Sequence, residues 1–183
     1  MTPCATPPVT TRRATPADAA LLALLAATTF SDTFGPHNTP EDMAQYVTAS
    51  FAEDIQRTEL TDARHAVFFA ERNGEVVGYT MLRGGVAPEV IRDADSIEIA
   101  RLYATKQSIG AGIGATLMQR CLDESAARGL TTIWLGVWEH NARAIAFYRR
   151  WGFADVGTTT FMLGSDRQTD RVMARRIAVS EAE

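Results

Sequence analysis

The order of apolar and polar positions divides the 183-residue chain into strand-like and helix-like stretches. Val9–Ala14 reads as a short strand. Thr15-Pro16 then sets a capping hydroxyl before a proline at the first helical position, and the helix it opens runs to about residue 29, with Leu21, Leu24, Leu25 and Thr28 as its expected inner stripe. Thr39-Pro40 repeats that start signal for a second helical region through Met43, Tyr46 and Val47, continuing from Phe51 to Leu60. His65–Glu71 and Glu75–Leu82 flank Asn73-Gly74, the dipeptide a tight type I′ hairpin turn prefers. Gly84 to Asp95 is a flexible connection. Ser96–Ala104 reads as a strand, residues 112–128 as a helix with Ile113, Leu117, Met118, Cys121 and Leu122 inward, and Thr131–Val137 as a buried strand. A helix over Ala142–Arg150 and strands over Ala154–Leu163 and Arg171–Val179 complete the chain.

This order implies an α/β fold on a mixed sheet, in which only the βαβ unit from Ser96 to Val137 is parallel. The length suits one domain, taken as residues 9–183 after a loose tail from Met1 to about Pro8. Composition is ordinary: 46% hydrophobic and 22% charged residues exclude collagenous and extensively disordered classes. A formal charge of -4 supplies no global field for phosphate backbones, so no nucleic-acid partner is expected. Arg12-Arg13 before the Ala/Leu run from Ala19 to Ala27 is leader-like, but Pro16 and Asp18 interrupt it. No run approaches the ~18 apolar residues of a membrane span, and a cytoplasmic location is expected. Cys4 and Cys121 lie in unlike surroundings and read poorly as a disulfide, while His37, His65 and His140 lack ligand spacing, so no metal is expected.

Candidate chemistry begins with Ile109-Gly110-Ala111-Gly112-Ile113-Gly114, between a strand and the start of a helix. Three alternate glycines allow close approach to the backbone, and amides at a helix N-terminus attract an anion such as phosphate. A glycine-rich packing turn accounts for the same letters. So does a dinucleotide-binding pattern, Gly110-x-Gly112-x-x-Ala115 with Glu139 further on, although that fold needs repeated βαβ units where hairpins stand here.

The second segment runs from Trp134 to Phe153. Its Asn141, Ala144, Phe147-Tyr148 and Gly152-Phe153, together with the strand, glycine loop and helix of Ile97–Leu122, resemble the acyl-CoA site of the GCN5-related N-acetyltransferase (GNAT) superfamily. More narrowly, Phe30-Ser-Asp-Thr-Phe34, Glu41-Asp-Met43, Ile97–Tyr103, Trp134–Glu139 and Gly164–Asp170 resemble PaiA-type spermidine/spermine N-acetyltransferases. The superfamily usually carries Gln or Arg where this chain has Ile109, which removes a side-chain contribution at that corner of the loop.

The resemblance implies a GNAT-like, mostly antiparallel twisted sheet with helices on both faces, acetyl-CoA as cosubstrate and a small-molecule amine as acceptor, most specifically a polyamine. The stretch Ile109, Gly110, Ala111, Gly112, Ile113 and Gly114 would cradle the pyrophosphate, the main chain of Leu102, Tyr103 and Ala104 would pair with the pantetheine arm, and Asn141 would hydrogen-bond it, a role compatible with capping a helix. Glu98 would be the general base, with Glu139 the second choice; a paired strand carboxylate is the alternative for Glu98. Tyr148 would protonate the leaving sulfur, although Ala144, Phe147, Tyr148 and Trp151 also form a packing stripe. Asp32, Glu41, Asp42, Glu53 and Asp54 lie in the helical region that would cover the acceptor and are the candidate carboxylates for a polyamine, with ordinary solvated helix charges as the alternative for each. A protein or peptide amine as acceptor, and an acyl-CoA-binding regulator without turnover, are the competing readings. A homodimer is left open.

Overall fold

The computed structural model describes residues 7–177. It contains strands β1 (Thr10–Arg13), β2 (His65–Arg72), β3 (Glu75–Arg83), β4 (Ser96–Ala104), β5 (Thr132–Trp138), β6 (Ala154–Leu163) and β7 (Asp166–Arg176). The α-helices are α1 (Ala19–Phe34), α2 (Pro40–Phe51), α3 (Glu53–Thr61), α4 (Ile113–Ala127) and α5 (Ala142–Arg150). The strands form one sheet in the order β1-β2-β3-β4-β5-β7-β6, and every neighbouring pair is antiparallel except β4 with β5. A single parallel pair is incompatible with the repeated βαβ units of a dinucleotide fold.

Strand alternation sorts the core into two layers. On β2, Ala66 and Phe68 pack with Met118, Cys121 and Leu122 of α4 and with Ile145 of α5, while Val67 and Phe69 pack on the other face with Leu22, Leu25 and Phe30 of α1 and Met43 of α2. On β5 the same alternation sends Ile133, Leu135 and Val137 toward α4 and α5. Trp134, Gly136 and Trp138 therefore face the α1–α2 side.

Several boundaries fall where the sequence puts them, including β4, α5 and β6. The stripe on α1 does not. Leu22, Leu25, Ala26, Thr29 and Phe30 are buried, whereas Leu21 and Leu24 are 39% and 69% exposed. Leu or Ala fills every position from Ala19 to Ala27, so the apolar period has no fixed phase in the sequence, and packing chooses the face. The helical stretch Pro16–His37 is long and apolar enough to cross a membrane by composition alone. Its inner face instead fills the core beneath β2 and β3. β7 begins at Asp166 rather than Arg171. Ala178 and Val179, the tail through Thr6 and Cys4 lie outside the described residues.

Candidate active site

β4 and β5 pair only at Ser96, Ile97 and Glu98 with Thr132, Ile133 and Trp134. Beyond that point the strands diverge, although β4 continues to Ala104 and β5 to Trp138. A register shift at Met81/Leu82 opposes two β3 residues to the stretch Ile99–Arg101, a β-bulge that increases local twist. The gap opens into a cleft of about 1130 Å³ that reaches both faces of the sheet. Leu102, Tyr103 and Ala104 line it; they pair with β3 on one side and have no strand partner on the other. A ligand with amide groups could add to that bare edge as a short strand.

The glycine loop lies at one end. Gly110 and Gly112 have φ of 84° and 83°, a left-handed backbone that L side chains rarely adopt, and a Cβ on either would project into open space. The first helical hydrogen bond of α4 runs from Thr116 N–H to the Gly112 carbonyl at 3.1 Å, and no side chain caps the helix. The N–H groups of the first turn thus lack helical acceptors and present a positive end to the cleft. Ser108, Ile109, Gly110, Gly112, Gly114 and Ala115 line this end. Ile109 is 44% exposed, an apolar side chain without a packing partner that would hold it buried. Ala111 keeps the loop in place by accepting a 2.7 Å hydrogen bond from Arg72 at its carbonyl, and Ile113 beneath it is buried against Ala70 and Leu117.

α5 forms the adjoining wall. Asn141 caps it by accepting a 3.1 Å hydrogen bond from Ala144 N–H at Oδ1, while among the described residues Nδ2 has no protein partner. Ala144, Phe147, Tyr148 and Trp151 rest against the core as the spacing requires. Tyr148 belongs to that stripe and also lines the cleft, so the packing and functional readings are compatible. Burial raises its phenol well above the ordinary tyrosine range, with the nearby Cys121 thiol contributing. Cys121 itself is buried 3.1 Å from the Thr80 hydroxyl, and burial pushes its thiol up to about 12.

The opposite, α1–α2 side of the cleft is aromatic. Tyr46 stacks on Phe30 with ring centroids 4.6 Å apart and meets Phe161 at 5.3 Å, while Phe34 meets Trp138 at 6.1 Å. Glu98 lies here, with both carboxylate oxygens engaged by Arg83 at 2.8 and 3.1 Å. A proton acceptor so held must share one of two charge-assisted bonds, and the paired-carboxylate alternative is thus part of its geometry. Glu139 is exposed and does not line the cleft. Arg101 is clamped by Glu59 at 2.7 and 3.0 Å and by Gln56 at 3.0 Å, over the ring of Phe51.

None of the five carboxylates expected to line an acceptor cleft does so. Asp42 accepts hydrogen bonds from Ser165 N–H and Oγ at 2.6 and 2.8 Å, tying the β6–β7 turn to α2, and those bonds lower its carboxyl. Glu53 pairs with Arg57. Asp32, Glu41 and Asp54 are exposed. The ordinary surface preference of carboxylates decides these positions.

Asp170 has no role legible in the sequence, although it ends the Gly164–Asp170 motif. Asp170 lines the cleft from β7, opposite Trp138 of β5, and burial raises its carboxyl to about 6, with Glu139 contributing. Arg101 likewise has no role legible in the sequence. Among the described residues no three His, Cys, Asp or Glu side chains cluster as a metal site.

Residues 27–153 match the family model described as Acetyltransferase (GNAT) family. An uncharacterised N-acetyltransferase of Mycobacterium tuberculosis is 38% identical over 160 residues, spanning 87% of this chain and 98% of that protein. An uncharacterised N-acetyltransferase of Lactobacillus delbrueckii is 35% identical over 149 residues, 81% and 86% of the two chains. Among solved structures, the PaiA N-acetyltransferase of Thermoplasma acidophilum in complex with coenzyme A superposes with a TM-score of 0.77 at 18% identity, covering 92% of this chain and 99% of that one. The ribosomal-protein-S18-alanine N-acetyltransferase of Escherichia coli gives 0.70 at 18%, covering 96% and 98%.

Proposed function

The chain belongs to the acetyltransferase (GNAT) family and is an acetyl-CoA-dependent N-acetyltransferase; from that premise we propose that it acetylates a small primary amine by direct attack on the thioester, inside the gap between β4 and β5. The observation that carries this reading is the arrangement of that gap. The glycine loop and Tyr148 approach it from the α4–α5 face, and the aromatic wall approaches from the α1–α2 face. Donor and acceptor would enter from opposite sides and meet where the strands part.

Bound acetyl-CoA supplies an activated acyl carbon and a thiol leaving group. In this reading the free amides from Gly110 to Gly114 and the positive end of α4 hold its pyrophosphate. The bare edge of Leu102, Tyr103 and Ala104 aligns the pantetheine arm, aided by Nδ2 of Asn141. A main-chain N–H of the same strand stabilises negative charge that develops on the carbonyl oxygen, a contribution strengthened by exclusion of water. The C–N bond forms as the C–S bond breaks. Tyr148, whose raised phenol stays protonated at neutral pH, gives its proton to the sulfur and regains one lost by the nitrogen. Starting from an ammonium ion, the products are amide, free thiol and one proton released to solvent. Glu98, paired with Arg83, orients the acceptor or a water on that face.

The finer assignment of spermidine or spermine is supported by the PaiA-type motifs and by the fold shared with a PaiA enzyme. The aromatic lining favours a second reading, an amine with an apolar body and one ammonium group. A protein α-amine is the third acceptor to compare. The buried, free Cys121 thiol is compatible with the proposed cytoplasmic setting. The cofactor assignment is tested by calorimetry with Gly112→Val, whose side chain would enter the cradle on a backbone that disfavours it. Acetyl-CoA affinity is expected to fall by ~10-fold or more in a folded variant, on the scale of a lost set of amide–phosphate contacts. Unchanged affinity would make the loop a packing turn only.

A further inference from the structure

Among the described residues, Asp170 is a carboxylate without a cation. Its Oδ1 is buried and has no hydrogen-bond partner among the described residues. Its Oδ2 lies 3.3 Å from where a Cβ on Gly136 would stand, so the missing side chain at Gly136 is what lets the carboxylate lie across β5 into the cleft. On this face the rings of His37 and His140 pack against Trp138, with centroids 5.3 and 5.2 Å away. Arg83 is held by Glu98, and Arg101 by Glu59. Arg171, next in sequence, is on the opposite face of its strand and pairs with Asp155 at 3.4 Å. Of the groups that act on Asp170, Glu139 repels a second negative charge, and Tyr46 across the cleft is a neutral phenol whose own hydroxyl senses Asp170, Arg83 and Arg101.

A carboxylate placed among Phe34, Tyr46, Trp138 and Phe161 and left unpaired by its own chain is complementary to a cation brought by a ligand. Aromatic faces attract the same kind of group. Resting on the acetyl-transfer reading above, we propose that Asp170 receives the ammonium group of the acceptor and takes its proton, selecting amines that present one ammonium ion on an apolar body. The step is a simple transfer. One N–H bond of the ammonium breaks, an O–H bond forms on Asp170, the nitrogen lone pair becomes free to attack the acyl carbon, and Asp170 later releases its proton to solvent. A carboxyl raised to about 6 suits this task better than an ordinary aspartate, yet it is ionised at neutral pH.

An unpaired, half-buried charge also leaves a signature without turnover. The folded-state value lies above the ordinary 3.8, so the native state binds the proton more tightly than the unfolded chain does. Stability is therefore lost as pH rises from about 4 to 6, and the penalty is complete above that window. Asp170→Asn removes the charge while retaining the shape. Its melting temperature should match wild type near pH 4 and exceed it at pH 8.

The deciding experiment combines that melting comparison with kcat/KM for phenylethylamine as acceptor across pH 5–10, and with acetyl-CoA affinity by calorimetry. Wild type should show an acidic limb near pH 6 from Asp170. The basic limb should lie near ~10, from the amine. Asp170→Asn should lose ~100-fold in kcat/KM and the acidic limb, with acetyl-CoA affinity unchanged. Gly136→Ala, whose Cβ would crowd the carboxylate, should lower kcat/KM in the same direction, and it decides the matter if the Asn variant does not fold. Variants that keep wild-type kcat/KM and the acidic limb would overturn the role of Asp170 while leaving acetyl transfer intact. A wild-type protein that binds acetyl-CoA but acetylates no amine would overturn both.

Discussion

The proposed mechanism gives Tyr148 two duties that one atom separates. The ring belongs to the stripe that seats α5 on the core, while the hydroxyl lies at the cleft with its proton held firmly by burial. Tyr148→Phe keeps the ring and removes the proton donor. We expect turnover to fall by ~10-fold or more with acetyl-CoA affinity and melting temperature near wild type, because an interaction made in the transition state is lost without a binding contact. Steady-state kinetics beside calorimetry read this directly, and equal turnover in the two proteins would return Tyr148 to packing alone. Glu98 illustrates the converse. Its strand position and the family resemblance suggest a base, but its two oxygens meet Arg83, a contact that only the β3–β4 register reveals.

At the scale of elements, the β6–β7 hairpin carries Thr159, Thr160, Phe161, Gln168 and Asp170 along one wall of the cleft. Its tip is fastened to the α1–α2 region by the Ser165 hydrogen bonds to Asp42 and by Gln168 Nε2 to Asn38 Oδ1 at 2.6 Å. Asp42→Ala should loosen this wall, raising KM for the amine several-fold while leaving acetyl-CoA affinity unchanged, as kinetics with each substrate varied in turn will show. Equal KM values would make the fastening dispensable for acceptor binding. The same hairpin explains what the sequence conceals. β4, α4 and α5 are legible because apolar residues recur at the strand or helix period and the glycine loop punctuates them. The first half of β7, Asp166 to Asp170, reads as a loop because polar residues occupy both of its faces. Asp170 hides in that stretch for the reason it matters: it faces a cleft, where a polar side chain replaces the apolar one a core strand would show. The Ala/Leu composition of α1 hides its inner face in a different way, by offering too many apolar positions.

Across the whole molecule the sheet acts as a partition with one opening. Tyr148, the proposed acid, approaches from the layer of α4 and α5, and the carboxylates Glu98 and Asp170 approach from the layer of α1 and α2. In the proposed mechanism the first proton leaves the ammonium on one face and the sulfur is protonated from the other, so the two groups need not neutralise one another before reaction. The parting of β4 and β5 after Glu98 joins the faces, and the βαβ unit that creates it is also the one that brings the glycine loop to its edge. The most direct test is the release of free thiol from acetyl-CoA by the purified protein, with acetylated amine measured by mass spectrometry, for phenylethylamine, putrescine, spermidine, spermine and a lysine-bearing peptide. Thiol and acetylated amine are expected in equal amounts for at least one small amine, with release that depends on that amine. Tight binding of acetyl-CoA with no amine-dependent thiol release from any member of the series would contradict this expectation.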